Sequence, residues 1–98
     1  MEQIELVHAI PELKEKYVYI VNRAIELNII TLHEWNRRFK FYRDESGYSF
    51  IHYLNCMMKG INNFITSNEI MINNGKELEK RFGVKVITIN EFFPAFNL

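Results

Sequence analysis

The sequence has little cysteine, proline or glycine and no excess of charge of either sign. It contains one cysteine, two prolines and four glycines among 98 residues, and its formal net charge is zero. A single cysteine excludes an internal disulfide and a zinc site built from four thiolates. No apolar run approaches the ~20 residues of a membrane-spanning helix, and the N-terminus lacks the pattern of a secretory signal. We therefore expect a cytoplasmic protein without membrane contact.

Apolar and aromatic residues are abundant instead. Hydrophobic residues make up 48% of the chain and aromatic residues 14%, which is enough for one compact domain over residues 1–98. This is a large number of aromatic side chains for a core of this size, and we expect some of them at an interface. A neutral chain with a pI near 6.8 has no overall field that attracts nucleic acid, and it resists self-association only weakly.

Three stretches have the period of amphipathic helices. The first extends from Pro11 to about Asn28. The second begins with Thr31 to Glu34, a capping box in which the hydroxyl and the carboxylate bond free backbone N–H groups. The third, Tyr48 to Ile65, has the broadest apolar stripe and contains Gly60, which costs about 1 kcal/mol relative to alanine inside a helix. The core residues predicted for the second helix are Leu32, Trp35, Phe39 and Tyr42.

The pattern changes to short elements after the third predicted helix. Lys76 to Phe82 predicts a short helix that ends at Gly83, and Val84 to Ile89 has the alternation and β-branching of a strand. Residues 1–10 and 69–72 fit either a strand or a helix. The predicted fold is α+β and mostly helical, with three main amphipathic helices, a short helix and a small C-terminal β element.

The chain ends in an apolar tail, Asn90 to Leu98, which leaves no room for a further element after the predicted strand. Its rings either fold back over the core or project and bind another chain. We favour folding back, because exposed rings promote aggregation. If they project, they form a binding site for a protein partner or for a second copy of the chain. The three rings are Phe92, Phe93 and Phe96.

A basic face is predicted on the second helix, on the side away from Trp35. Residues 37–43 contain several cations and no acid, and positive charge beside a ring is what phosphate contacts and base stacking require. We favour a solvated face whose cations pair with neighbouring acids over a nucleic-acid interface. The candidate nucleic-acid-binding residues are His33, Arg37, Lys40, Phe41 and Arg43.

His52 and Cys56 lie one helical turn apart on the polar face of the third predicted helix. An imidazole at that spacing can lower the pKa of a thiol and activate it, or the pair can supply half of a metal site. No other residue completes a catalytic or metal-binding set. We therefore expect no enzyme, no cofactor and no metal, and we interpret Cys56 and Gly60 as a small-residue strip for close helix packing.

These patterns favour a small protein-interaction module without catalytic activity. It would act as an adaptor, or as an inhibitor of the kind that mobile elements direct against host proteins. The small size, the excess of aromatic residues and the phenylalanine-rich tail support this hypothesis. The alternative is a nucleic-acid-binding accessory protein that uses the basic face of the second helix, and a thiol enzyme based on Cys56 ranks third.

Overall fold

The computed structural model describes residues 3–96, with the side chains of residues 94–96 outside the description. The fold is 64% helical with a small two-stranded parallel sheet, which confirms the predicted α+β class. In chain order the elements are α1 (Pro11–Glu26), a π turn (Glu34–Arg38), α2 (Lys40–Glu45), α3 (Tyr48–Met58), β1 (Asn63–Ile65), α4 (Glu69–Asn73), α5 (Gly75–Phe82), β2 (Lys85–Ile87) and α6 (Ile89–Phe96).

The core is organised around Phe50 of α3. Its side chain is fully buried, and its ring centroid lies between 5.1 and 6.5 Å from the centroids of five other rings. Each such pair adds about 0.5–1.5 kcal/mol to the burial of its apolar area. Because the five rings come from the π turn, α2, α3, α5 and the residue after the π turn, this cluster joins most of the helices. The rings are those of Trp35, Phe39, Tyr42, Tyr53 and Phe82.

The first helix agrees with its prediction. α1 begins at Pro11, a residue whose fixed φ and missing N–H suit the first helical turn, and it ends two residues before the predicted Asn28. Its buried residues recur at helical spacing, as the sequence pattern requires, and they pack against α3. They are Tyr17, Ile20, Val21 and Ala24.

The second predicted helix starts as expected and then departs from α geometry. The Thr31 N–H donates to Glu34 Oε1 at 3.0 Å, and the Glu34 N–H donates to Thr31 Oγ1 at 2.9 Å, which confirms the capping box. The chain then forms the π turn, in which the Phe39 N–H donates to the Glu34 carbonyl oxygen at 2.7 Å. A π turn takes one residue more than an α turn, so the side chains that follow are rotated relative to a regular helix.

The third predicted helix is wrong in its second half. α3 ends at Met58, and Gly60 has a φ of 73°, a left-handed conformation that only glycine adopts readily. Gly60 therefore ends the helix instead of lying inside it. A Cβ at Gly60 would have nothing within 4 Å, so the strip of close packing predicted for Cys56 and Gly60 does not form.

Residues 63–65, predicted to be helical, instead form β1, which pairs in parallel with β2. In the middle of this sheet, Phe64 pairs with Val86, and both pack against the core. Successive side chains of a strand point to opposite faces, so the next pair, Ile65 and Ile87, lies on the outer face. Ile65 is 42% exposed.

Among the remaining short elements, α5 confirms its prediction, and residues 69–72, which fit either a strand or a helix, are helical. α5 forms where the short helix was predicted and ends at Gly83, whose φ is 76°. Residues 69–72 belong to a helix, α4, because the Asn68 side chain accepts a hydrogen bond from the Met71 N–H at 3.1 Å and caps it. Residues 3–10 form no regular strand or helix. β2 is shorter than the strand predicted over Val84 to Ile89.

An ion pair fixes α5 against the π turn. Arg81 Nη2 donates to both carboxylate oxygens of Glu34, at 3.0 and 3.1 Å, and to the Ile29 carbonyl oxygen at 3.3 Å. Arg38 Nη1 lies 3.6 Å from the same carboxylate. One glutamate therefore caps the helix start and holds a distant arginine.

Replacing Glu34 tests this double role. We expect Glu34→Ala to lower the free energy of unfolding by about 1–2 kcal/mol, because it removes both the cap and the charged hydrogen bonds. Glu34→Gln keeps the cap acceptor and is expected to lose less. The control is Glu26→Ala, which breaks an exposed pair with Arg23 and should cost less than about 0.5 kcal/mol. Equal losses for Glu34→Ala and Glu26→Ala in urea titrations would contradict the assignment.

The buried hydroxyl of Tyr53 predicts a loss of stability in alkali. It donates to the Val84 carbonyl oxygen at 2.6 Å, and burial raises the pKa of Tyr53 well above its ordinary value. Because the unfolded chain ionises first, the stability that this residue contributes is present below about pH 10 and lost as the pH rises above it. We expect Tyr53→Phe to cost about 1–3 kcal/mol at neutral pH and to reduce this alkaline loss. The exposed Tyr19→Phe is the control, and an identical alkaline loss in both variants would refute the interpretation.

Candidate functional site

Most of the C-terminal tail, predicted to have no room for a further element, belongs to the helix α6, Ile89–Phe96. The Thr88 hydroxyl accepts a hydrogen bond from the Glu91 N–H at 3.1 Å, and the Phe92 N–H donates to the Thr88 carbonyl oxygen at 3.0 Å. Thr88 thus starts the helix directly after β2. The four residues from Thr88 to Glu91 repeat the T-x-x-E pattern of Thr31 to Glu34, and this signal could have identified α6 from the sequence.

α6 presents apolar side chains outside the core. Phe93 is 54% exposed and Ile89 is 46% exposed, so the Phe93 ring does not fold back over the core as we expected. Phe92 is partly buried, and its ring centroid lies 5.9 Å from that of Phe93 in an edge-to-face arrangement. None of these three residues is part of the core cluster or of the apolar residues packed on it. The side chain of Phe96 lies outside the described residues.

Three apolar residues of α6, Ile89, Phe92 and Phe93, share one helix face. Their positions are i, i+3 and i+4, which line one side of a helix, while Asn90 and Glu91 occupy the other side. The outer face of the sheet adds Ile65 and Ile87, and only Thr88 separates β2 from α6. We call the exposed and partly exposed apolar residues of the outer sheet face and of α6 the C-terminal apolar surface. It consists of Ile65, Ile87, Ile89, Phe92 and Phe93.

The predicted basic face is divided between solvent and interior. His33, Arg37 and Lys40 are exposed, as is the Phe41 ring at 51%. Arg43, expected on the solvent side, is only 6% exposed. The π turn explains this correction: its extra residue rotates Arg43 toward the face on which Phe39 is buried and moves Tyr42 toward the edge.

Arg43 and Lys40 have acidic neighbours. Arg43 Nη1 donates to the Glu5 carbonyl oxygen at 3.3 Å and lies 3.9 Å from Glu5 Oε2, while its Nε lies 3.7 Å from Asp44 Oδ1. Lys40 Nζ contacts Asp44 Oδ2 at 2.6 Å. Part of the basic face is therefore paired with acids. The structure brings Arg37, Lys40 and Arg43 together around a cavity, and His33 and Phe41 are not among the residues that line it.

The His52 and Cys56 pair has the wrong electrostatics for a reactive thiol. Burial raises the pKa of Cys56, opposed only in part by Lys59. Burial also lowers the pKa of His52, and the charge of Lys16 acts in the same direction. His52 Nε2 lies 3.4 Å from the Tyr17 hydroxyl. At neutral pH these directions favour a protonated thiol beside a neutral imidazole, whereas an activated cysteine is a thiolate stabilised by positive charge.

Over residues 3–96, no helix has both the length and the apolar character needed to cross a bilayer. Within the same range, no three histidine, cysteine, aspartate or glutamate side chains come together as a group that would hold a metal ion.

Comparisons of the chain with protein-family models, with curated proteins and with solved structures give no match. The case for function therefore depends on the geometry and charge of the two surfaces described above.

Thiol labelling tests the electrostatics around Cys56. We expect iodoacetamide to alkylate Cys56 more slowly in the folded protein at pH 7.5 than in the same chain in urea, because burial disfavours the thiolate. The rate should rise at a higher pH in the folded chain than in the unfolded chain. His52→Ala should leave the rate at neutral pH within about twofold. Rapid labelling near pH 6.5 that is lost in His52→Ala would show an activated thiol and contradict this account.

Proposed function

We propose that this protein is a non-enzymatic interaction module that inserts the apolar face of α6 into a hydrophobic groove on a partner protein. The observation that carries the proposal is the pair Ile89 and Phe93, one helical turn apart and both about half exposed on a helix outside the core cluster. Recognition of an amphipathic helix by an apolar groove uses anchors at this spacing.

The energetics of the C-terminal apolar surface favour such a complex. Each phenylalanine buries roughly 150–250 Å² when fully covered, and apolar burial contributes about 25 cal/mol per Å². Covering the exposed portions of Phe93 and Ile89 would contribute on the order of a few kcal/mol before the costs of association. Aromatic anchors in a groove are the residues that most often dominate binding energy.

The chemistry of the helix defines the partner. The groove must be apolar at its floor, to take Phe93 and Ile89, and its rim must tolerate Glu91 and Asn90 on the opposite side of the helix. Ile65, exposed on the outer face of the sheet, is a further apolar residue for the partner to cover. Both an adaptor and an inhibitor would use such a surface, the inhibitor by covering a functional groove of its target.

Affinity capture with matched variants tests the proposal. The tagged protein is incubated with nuclease-treated lysate of its native host, and proteins retained by the wild type are quantified for each variant. We expect Ile89→Ser with Phe93→Ser to reduce retention of the partner by tenfold or more, because both anchors are lost. The matched control is Phe41→Ser, which removes a similarly exposed ring and should retain the partner.

Three outcomes would contradict the proposal. Retention that survives the double variant removes α6 from the interface, and equal losses in the double variant and in Phe41→Ser indicate general adhesion of exposed rings. A concentration-dependent dimer in sedimentation equilibrium that is lost in the double variant would identify the occupant as a second copy instead of a different protein. Thermal unfolding of each variant checks that the fold is retained.

A further inference from the structure

A cavity of about 320 Å³ lies between the N-terminal segment, the π turn and α2. It is formed by different elements from those of the C-terminal apolar surface, and the proposed function does not use it. Its volume is near the lower end of the ~300–1,000 Å³ of small-ligand pockets. The lining residues are Gln3, Glu5, Asn36, Arg37, Lys40 and Arg43.

Arg43 is buried in the wall of this cavity, and not all of its N–H groups have a hydrogen-bond acceptor. Its side chain is 5% exposed, yet among residues 3–96 the guanidinium makes one hydrogen bond, from Nη1 to the Glu5 carbonyl oxygen at 3.3 Å. Its buried Nε has no hydrogen-bond partner. A buried guanidinium with unsatisfied donors is costly, and an anion in the cavity would compensate the charge of the guanidinium that lines it.

The nearby carboxylates do not satisfy Arg43. Glu5 Oε2 and Asp44 Oδ1 lie 3.9 and 3.7 Å from its nitrogens, beyond the range of a good hydrogen bond. The Glu5 side chain is itself 76% exposed. Asp44 contacts Lys40 through Oδ2, while its Oδ1 is buried without a hydrogen-bond partner.

Positive charge is in excess around the cavity. Among residues 3–96, three cations, Arg37, Lys40 and Arg43, face two carboxylates, Glu5 and Asp44. Arg37 is exposed and has no ion pair with any residue in the described part of the chain. Its guanidinium is therefore available to an anion from solvent.

We propose that this cavity binds a phosphate group, contacted by the guanidinium of Arg43 in the wall and by Arg37 and Lys40 at the entrance. A guanidinium presents paired N–H groups that match two phosphate oxygens, and the charge-assisted bonds are the strong ones. The dianion also compensates the local excess of positive charge. The adjoining π turn, which rotates Arg43 into the wall, is a backbone feature often found at functional sites.

Two kinds of ligand could supply this phosphate group: a small phosphate-containing molecule or a nucleic-acid strand. A nucleotide or free phosphate would bind as a single small ligand. A nucleic-acid strand would offer the same group along its backbone, and its binding would depend on chain length and fall steeply with salt through release of counterions.

NMR titration of the full chain tests the site directly. Inorganic phosphate, adenosine 5′-monophosphate and a single-stranded oligonucleotide are added separately, with sodium chloride at matched ionic strength as the control anion. We expect saturable shifts at the Arg43 Nε–Hε resonance and at the amides of the π turn and α2, with phosphate but not with chloride.

Two neighbouring arginines provide a matched pair of variants. Arg37→Gln is expected to weaken phosphate binding by about tenfold or more, because it removes a charged hydrogen bond. Arg38→Gln removes the same charge from the next residue, which does not line the cavity, and is expected to change the affinity by less than twofold. Since Arg37 and Arg38 are both exposed, both variants should fold.

The outcomes separate the sources and can overturn the site. Equal affinities for the monophosphate and the oligonucleotide identify a small ligand, whereas tighter, length-dependent and salt-sensitive oligonucleotide binding identifies nucleic acid. Either result supports the phosphate site. The absence of a saturable shift at Arg43 with all three ligands, or equal weakening by Arg37→Gln and Arg38→Gln, would refute it.

Discussion

The fold depends on the burial of one ring, Phe50, among five others. Because these rings come from separate elements, the π turn, α2 and α5 must all approach α3 closely for the cluster to close. The pairing of Arg81 with Glu34 holds α5 against the π turn, and α1 covers α3 through its own buried stripe.

One candidate surface results from the π turn that the aromatic cluster requires, and the other consists of apolar residues that lie outside the cluster. The π turn places both Trp35 and Phe39 in the core, and the same rotation carries Arg43 into the wall of the cavity with donors unsatisfied. At the other end of the chain, β2 leads directly into α6, and the exposed residues Ile89 and Phe93 are not part of the core. One surface is thus defined by buried charge and the other by exposed apolar area.

The sequence predicts those elements whose signals are local. The capping box at Thr31, the stripe of α1 and the end of α5 at Gly83 each depend on a few adjacent residues. The sequence does not predict the end of α3, because the apolar pattern continues past Gly60. Phe64 fits the apolar stripe of a helix and the inner face of a strand equally well. The strand forms only because it pairs with β2, which is distant in the sequence. The position of Arg43 was missed because the π turn has no simple spacing signal. In the C-terminal site, composition indicates Phe93, but its exposure depends on a helix whose start is signalled only by the T-x-x-E pattern of Thr88 to Glu91.

The core is built on Phe50, and the described apolar residues of α6, Ile89, Phe92 and Phe93, are not part of it. Native-state hydrogen exchange of the full chain measures this directly, because residues in the core open only with global unfolding. We expect the amides of Tyr53 and Leu54 in α3 to exchange with the global free energy of unfolding. The Phe92 amide, which donates to the Thr88 carbonyl oxygen at the start of α6, should exchange with a much smaller opening free energy. Equal opening free energies for α3 and α6 would show that α6 belongs to the core and would contradict the account.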